Sequence, residues 1–157
     1  MRTLIRLLVG ALFMSMSVVG LSAAHATNIG MQGCTPGYWK THTDSWEETK
    51  PTKTYDMLFV DARANVAGLT LLEALQGGGG PGADGAATIL ARASTAAWLN
   101  AANEGLGYPW RRFNTGLDGR PPLVATVNAA FASGDRATML ALATRLDGDN
   151  NLGCPLS

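Results

Sequence analysis

Residues 85–103 read Gly85-Ala-Ala-Thr-Ile-Leu-Ala-Arg-Ala-Ser-Thr-Ala-Ala-Trp-Leu-Asn-Ala-Ala-Asn103. This stretch carries apolar side chains at helical spacing along its whole length. The apolar stripe consists of Ala86, Ile89, Leu90, Ala93, Ala97 and Ala101, and it is widened by Trp98 and Leu99. Asp84, just before this stretch, is a residue type that caps helix N-termini. Because alanine is so frequent here, neighbouring helices can approach closely. The sequence therefore predicts a long central helix over about residues 85–103.

Two more helices are predicted on the C-terminal side of the central one. Pro122 suits the start of a helix, and an apolar stripe follows it as far as Gly134. Asp135 can then cap a last helix, which Gly148 can end in the left-handed conformation. The two helices follow one another so closely that we expect a hairpin. Residues 104–120 are rich in glycine and proline and are interpreted as loop.

A short helix and a linker are predicted just before the central helix. Thr70 and Glu73 form a capping box, in which each side chain bonds the backbone N–H of the other residue. The helix that they open ends at Gly77. Residues 77–82 comprise five glycines and one proline, a composition typical of a flexible linker.

Residues 34–56, called the arm below, are rich in Thr, Trp and Gly and hold few apolar residues in any period. We predict mostly loop here, with one helical turn beginning at the capping box of Ser45 and Glu48. No segment of the chain alternates with period two, so no strand is predicted. The predicted fold is a small all-α domain over residues 27–157 with a long irregular N-terminal arm.

The first 26 residues have the anatomy of a secretory signal peptide. Arg2 and Arg6 precede an apolar run of about 15 residues, and an Ala-His-Ala cleavage site ends at Ala26. The run is short of the roughly 20 residues that span a bilayer, which disfavours a membrane anchor. Lipoprotein processing before Cys34 is disfavoured because that cysteine lies well beyond the run. We therefore expect cleavage after Ala26 and a secreted or periplasmic domain with no membrane span.

Composition and charge exclude some classes of partner. Removal of Arg2 and Arg6 leaves ten basic residues against 12 acidic ones, a net charge of about −2. Nucleic acid requires a basic surface, so we expect no nucleic-acid partner, and an anionic membrane is disfavoured for the same reason. The remaining 157 − 26 = 131 residues are enough for one domain with a sizeable core.

Cys34 and Cys154 are the two cysteines of the chain and lie near the two ends of the predicted mature protein. Export places them in an oxidising compartment, which favours a disulfide between them over two free thiols. The chain-entropy model gives about 4–5 kcal/mol for closing a loop of about 120 residues. The bond would also tie down termini that otherwise fray. The predicted domain is thus closed by one end-to-end disulfide.

His42 is the histidine that remains after cleavage, and Asp44, Glu47 and Glu48 follow it closely. A general base oriented by a carboxylate has this composition. A small exported hydrolase that uses His42 with a nearby carboxylate is therefore one alternative function. No recognisable nucleophile accompanies the histidine, and a lone histidine in a loop is more often exposed or structural. The sequence thus favours a protein that is not an enzyme.

Two predicted loops concentrate aromatic side chains next to polar ones. They are Tyr38, Trp39 and Trp46 in the arm, and Tyr108, Trp110 and Phe113 beside Arg111 and Arg112. Exposed aromatic faces with polar neighbours can bind sugar rings or a protein partner. The alternative, which we favour, is that the rings pack over the helices as a small core for the loops. The arginine pair is expected to hold an acidic residue of the arm or an acidic ligand.

Metal and phosphate signatures are weak in this sequence. Asp147, Asp149 and Asn151 resemble the oxygen-rich opening of a calcium loop, but Leu152 stands where an EF-hand needs glycine. A polar turn leading to the second cysteine is the simpler interpretation. One histidine and two distant cysteines are a poor set of zinc ligands, and residues 77–82 lack the Gly-Lys-Ser/Thr of a phosphate loop. We therefore expect no cofactor.

One segment at the start of the arm resembles a motif of exported bacterial and archaeal proteins. It reads Gly33-Cys-Thr-Pro-Gly-Tyr-Trp-Lys40 and is followed by His42. In those proteins the motif opens a module of similar length, which ends in a segment similar to Asn150-Asn-Leu-Gly-Cys-Pro-Leu156. The resemblance implies a secreted or surface-associated module with no established activity. It carries over no catalytic residues.

The motif is interpreted as architecture first. A tight turn at Pro36 and Gly37, just after the disulfide, would direct Tyr38 and Trp39 back onto the helices. The leading expectation is an exported non-enzymatic interaction or structural module with an unknown protein or glycan partner at the cell surface. The alternatives are the hydrolase and a carbohydrate-binding module that uses the loop aromatics.

Overall fold

The computed structural model describes residues 30–113 and 118–156, which form a helical fold without strands. The predicted signal peptide, residues 1–26, lies outside these ranges. The α-helices are α1 (Pro36–Thr41), α2 (Ala64–Ala67), α3 (Leu71–Gln76), α4 (Gly82–Ala102), α5 (Leu123–Ala132) and α6 (Arg136–Asn150). Short 3₁₀ turns lie at Thr43–Ser45, Tyr55–Met57 and Glu104–Leu106. Across both ranges, no helix is long and apolar enough to cross a membrane.

The centre of the fold is α4, as its sequence predicts. All the other helices contact it. Every residue from Ala93 to Asn100 is buried, so the second half of α4 is surrounded on all sides. Its small side chains allow that close approach, whereas Leu90, Trp98 and Leu99 fill the larger gaps between helices.

The predicted starts of α3 and α6 are confirmed. Thr70 and Glu73 form both bonds of the capping box of α3, and the Asp135 side chain accepts from the backbone N–H of Thr138 at the start of α6. The predicted end of α6 at Gly148 is wrong because α6 continues to Asn150, whose side chain is held in the core.

The predicted cap of α4 is wrong. The helix begins at Gly82, with Pro81 in the N-cap position and no side-chain cap. Asp84 lies inside the first turn, where its carboxylate pairs with the guanidinium of Arg63 at 2.9 Å. The Asp84 carboxylate therefore bonds Arg63, the residue before α2, and does not cap α4.

The arm is more regular than predicted. Instead of a tight turn after Cys34, a helical turn begins there, because Thr35 Oγ1 accepts from the Tyr38 backbone N–H at 3.1 Å and Pro36 occupies the first helical position. The helical turn predicted at Ser45 is wrong. The backbone of Trp46 is extended, and its indole N–H donates to the Trp39 carbonyl at 2.9 Å.

The arm also contributes to the core. Cys34, Trp39 and Tyr55 are fully buried. The Tyr55 hydroxyl lies 2.7 Å from Ser94 Oγ on α4, and its backbone N–H donates to the Leu69 carbonyl at 2.8 Å. Burial raises the pKa of Tyr55, so the phenol stays neutral. The arm is therefore an integral layer of the fold.

The glycine-rich segment before α4 is packed, unlike the free linker that its composition suggests. A Cβ on Gly85 would lie 1.9 Å from the carbonyl oxygen of Gly80, and a Cβ on Gly77 would lie 2.8 Å from Thr88 Cγ2. Arg136 at the start of α6 donates to the Gly80 carbonyl at 3.2 Å. Glycine here permits close contact between backbone segments.

The predicted disulfide between Cys34 and Cys154 is confirmed. The two Cα atoms lie 4.5 Å apart although 120 positions separate them in sequence. Beside the bond, the Gly33 N–H donates to the Gly153 carbonyl at 3.1 Å, which forms an isolated antiparallel bridge. The start of the arm and the segment after α6 are therefore fastened together twice.

Candidate functional site

A buried polar network joins the arm to the two longest helices. Asn100 of α4 is fully buried, and its Oδ1 accepts from the Cys34 backbone N–H at 2.8 Å and from the Trp39 indole at 3.0 Å. Its Nδ2 donates to the Cys34 carbonyl and to Asn150 Oδ1, each at 2.9 Å. Both amide hydrogens and both acceptor positions are thus used. The Asn100 side chain therefore fixes the position of residues 33–40, which we call the N-terminal motif.

Asn150 extends the network to α6. Its Oδ1 also accepts from the Tyr108 hydroxyl at 2.7 Å, and its Nδ2 donates to the Ala93 carbonyl at 3.0 Å. Burial raises the pKa of Tyr108, and the negative charge of Asp149 raises it further, so the phenol remains a donor. The sequence interpretation did not single out Asn100. The signal in the sequence is a side-chain amide in a helix whose buried residues are mostly apolar.

The calcium candidates do not form a ligand set. Asp149 Oδ2 accepts from the Trp110 indole at 2.8 Å, and the Asn151 amide donates to the Asp147 backbone carbonyl at 2.7 Å. The described residues contain no group of three or more His, Cys, Asp or Glu side chains that could hold a metal ion. The predicted polar turn is instead the end of α6.

His42 is exposed at the end of α1. Its ring stacks on that of Tyr38, with centroids 4.2 Å apart, and its Nδ1 lies 2.9 Å from the Tyr38 carbonyl. Within the described ranges, neither Asp44 nor Glu47 hydrogen-bonds the imidazole. Glu47 instead accepts from the Asn103 amide at 3.1 Å. The acid–base pair that the hydrolase alternative requires is therefore not assembled around His42.

Most of the loop aromatics pack into the protein. Trp39 and Trp110 are each 1% exposed. Tyr38 and Trp46 are half-buried, and the Tyr38 hydroxyl donates to the Leu156 carbonyl at 3.1 Å. A row of exposed rings for a sugar is consequently not formed by Tyr38, Trp39 and Trp110.

The arginine pair is held by acidic residues. Arg112 pairs with Glu48 of the arm, and its guanidinium lies 5.1 Å from the centre of the Trp98 ring. Arg111 pairs with Asp118 at 2.7 Å. Hydrogen bonds from Arg120 and Arg111 hold the pKa of Asp118 far below its usual range. Arg112 thus holds an acidic residue of the arm, as expected, whereas Arg111 pairs with acidic residues outside the arm.

A polar cleft of about 390 Å³ opens where α1, α3, α4 and α6 meet. It is lined by Thr35, Pro36, Gly37 and Lys40 of the motif, by Leu75, Gln76 and Gly77 after α3, by Arg92 of α4, and by Asp147 and Asn151 at the end of α6. Lys40 and Arg92 were not predicted as site residues, because only the packing of the helices brings them together. We call this feature the polar cleft.

The two cations of the polar cleft form no ion pair with a described carboxylate. Arg92 is half-buried, yet no ion pair, hydrogen bond or ring contact joins its guanidinium to a described residue. Lys40 likewise has no ion pair with a described carboxylate. With Asp147 as the acid in the lining, the formal charge is +1. A smaller cavity of about 130 Å³ between α4 and α6 is also lined by Arg92 and Asp147.

Comparison of the chain with protein-family models, curated proteins and solved structures finds no match. Among the features above, the polar cleft combines concavity with charged groups whose bonding capacity is unused.

Proposed function

We propose that this chain is an exported binding module without catalytic activity, which presents the polar cleft to a partner in the periplasm or outside the cell. One observation carries the proposal: the motif residues Cys34, Thr35 and Trp39 are engaged in building the scaffold. They form the disulfide, the helix cap and the bond to Asn100. The motif leaves Lys40 at the rim of the cleft as its open polar group.

The disulfide is consistent with an extracellular or periplasmic location. The signal-peptide pattern in residues 1–26 independently favours export. We infer that Cys34 and Cys154 pair after the chain leaves the reducing cytosol.

The lining of the polar cleft supports binding more than hydrolysis. General acid–base chemistry uses a pair of titratable groups within reach of one another. Asp147 is the one carboxylate among the described lining residues, and His42 is not among them. The hydroxyl of Thr35 already accepts from the Tyr38 N–H as a helix cap. The cleft thus offers charges and hydrogen bonds, but no assembled nucleophile and base.

The test uses the full-length chain, exported through its own leader and purified from the periplasm or medium. The labelled protein is incubated with intact cells and with isolated cell envelopes, and retention is measured against protein concentration. We expect saturable retention that is unchanged in His42→Ala. Absence of saturable retention would contradict the proposal. So would release of low-mass envelope products by the wild type that stops in His42→Ala.

A further inference from the structure

Arg92 is the starting point for identifying the ligand of the polar cleft. A guanidinium is always charged and carries five N–H donors in a planar fork. In an open cleft such donors bond water, which a ligand with suitable acceptors can displace. Arg92 is half-buried in the cleft wall and has no partner among the described residues. The natural complement of this fork is a planar or tetrahedral oxyanion.

The charge of the cleft selects among oxyanions. Lys40 and Arg92 contribute two positive charges and Asp147 one negative charge, which leaves +1. A carboxylate neutralises this charge. A phosphate dianion would leave a net negative charge beside the Asp147 carboxylate, which is unfavourable at short range. The balance therefore favours a monoanion.

Three other polar side chains of the cleft are exposed and can bond the hydroxyl groups of a ligand. The Asp147 carboxylate and the Gln76 amide have no side-chain hydrogen bond to a described residue. Asn151 uses its Nδ2 on the Asp147 carbonyl, which leaves its Oδ1 as an acceptor. Hydroxyl groups both donate and accept, so they can satisfy this mixed set. Pro36 and Leu75 supply the apolar part of the lining, too little for a hydrophobic ligand.

We propose that the polar cleft binds a sugar acid, with its carboxylate on Arg92 and Lys40 and its hydroxyls on Gln76, Asp147 and Asn151. This inference rests on the proposed binding function and names its ligand class. The cleft volume of about 390 Å³ suits one or two sugar rings, since small-molecule sites span about 300–1,000 Å³. The sugar is recognised here by charge and hydroxyl groups, whereas Trp39 and Trp110 are buried.

The test is a titration of the exported protein with D-glucuronate, followed by NMR of side-chain and backbone amides. D-Glucose provides the same ring without charge, D-glucose 6-phosphate provides a dianion, and N-acetylglycine mimics a peptide C-terminus. We expect saturable shifts for glucuronate, centred on Gln76 and Asn151, and affinities at least about tenfold lower for the other three compounds. Equal or tighter binding of any of them, or no saturable shift with glucuronate, would overturn the proposal.

Variants locate the site. Arg92→Gln and Lys40→Gln should each weaken glucuronate binding by about tenfold or more. Lys53→Gln removes the same charge outside the polar cleft and should change nothing. If Arg92→Gln fails to fold by circular dichroism, Arg92→Lys replaces it and should weaken binding because it keeps the charge but loses the fork. Unchanged affinity in Lys40→Gln and in the folded Arg92 variant would overturn the assignment.

Different results would contradict the proposed binding function and the proposed ligand class. If envelope retention is saturable but glucuronate does not bind, the ligand class is wrong and the binding function stands. If glucuronate binds in the polar cleft but cells and envelopes retain nothing, the ligand class stands and the proposed role at the envelope is wrong.

Discussion

Asn100 joins the arm to α6, although the sequence did not single it out. Its amide bonds the backbone of Cys34, the indole of Trp39 and the amide of Asn150 in a site closed to water. Buried amides of this kind stabilise a fold when all of their bonds are made, and their removal leaves several buried groups without partners. The contribution of the N-terminal motif to the stability of the fold therefore depends on Asn100, which lies more than 60 positions away in sequence.

We predict that Asn100→Ala lowers the free energy of unfolding by about 3–5 kcal/mol. The reason is that the Cys34 N–H, the Cys34 carbonyl and the Trp39 indole lose their partner together. Urea unfolding followed by tryptophan fluorescence measures the change. The control is Asn103→Ala, which removes one bond, to Glu47, and should cost about 1 kcal/mol or less. Similar costs for the two variants would contradict the network.

At the scale of elements, the first turns of α4 pack closely against the backbone of Gly80, and the amino-acid composition does not predict this contact. Gly85 lies in the first turns of α4 and faces the carbonyl of Gly80. Alanine is the better helix former by up to about 1 kcal/mol, so helix propensity alone predicts that Gly85→Ala stabilises the protein. The 1.9 Å distance from a Cβ to the Gly80 oxygen predicts the opposite.

We predict that Gly85→Ala destabilises the protein by about 1–3 kcal/mol, because the segment before α4 must move away. Gly148→Ala is the matched control. Gly148 also lies within a helix, α6, but a Cβ there would have no neighbour within 4 Å. It should stabilise by up to about 1 kcal/mol. Thermal and urea unfolding give both values. Equal signs for the two substitutions would show that the contact at Gly80 does not matter.

The helix caps make stability depend on pH. Hydrogen bonds from the backbone N–H and then the hydroxyl of Thr70 lower the pKa of Glu73, and those from the hydroxyl and then the N–H of Thr138 lower the pKa of Asp135. A carboxyl whose pKa is lower in the folded state stabilises it above the unfolded pKa, about 4 for these residues. That stability disappears as the pH falls through the folded pKa.

We therefore predict that the free energy of unfolding decreases as the pH falls from about 5 towards 2. The decrease should be smaller in Glu73→Gln and in Asp135→Asn, because glutamine and asparagine retain the caps without titrating. Urea unfolding at a series of pH values measures the slope. If both variants keep the full acid dependence of the wild type, the caps are not its source.

The helices that the sequence predicts correctly are those with local signals. The apolar spacing of α4, the capping box of Thr70 and the cap at Asp135 each act within one or two turns. The six residues of α1 are too few to show a period, and the sequence Thr35-Pro36-Gly37 suits a turn as well as a helix start. Packing against α4 favours the helix, and this contact is not visible in the local sequence.

At the scale of the molecule, the arm and the segment after α6 meet at the start of the N-terminal motif. The disulfide, the bridge between Gly33 and Gly153, and the network of Asn100 and Asn150 all lie there. The sequence predicted the covalent link because the chain offers one pair of cysteines. It could not predict the amide pair or the polar cleft, because many asparagines and cations are available and only the packed helices select Asn100, Asn150, Lys40 and Arg92.

The central claim is that the N-terminal motif is part of the structural core and holds the polar cleft in shape. Native-state hydrogen exchange tests it most directly, by comparing the Cys34 backbone N–H and the Trp39 indole N–H with the Leu99 amide of α4. We predict that all three exchange with the same opening free energy, that of global unfolding. Exchange of Cys34 and Trp39 through a less costly opening, while Leu99 stays protected, would contradict the claim.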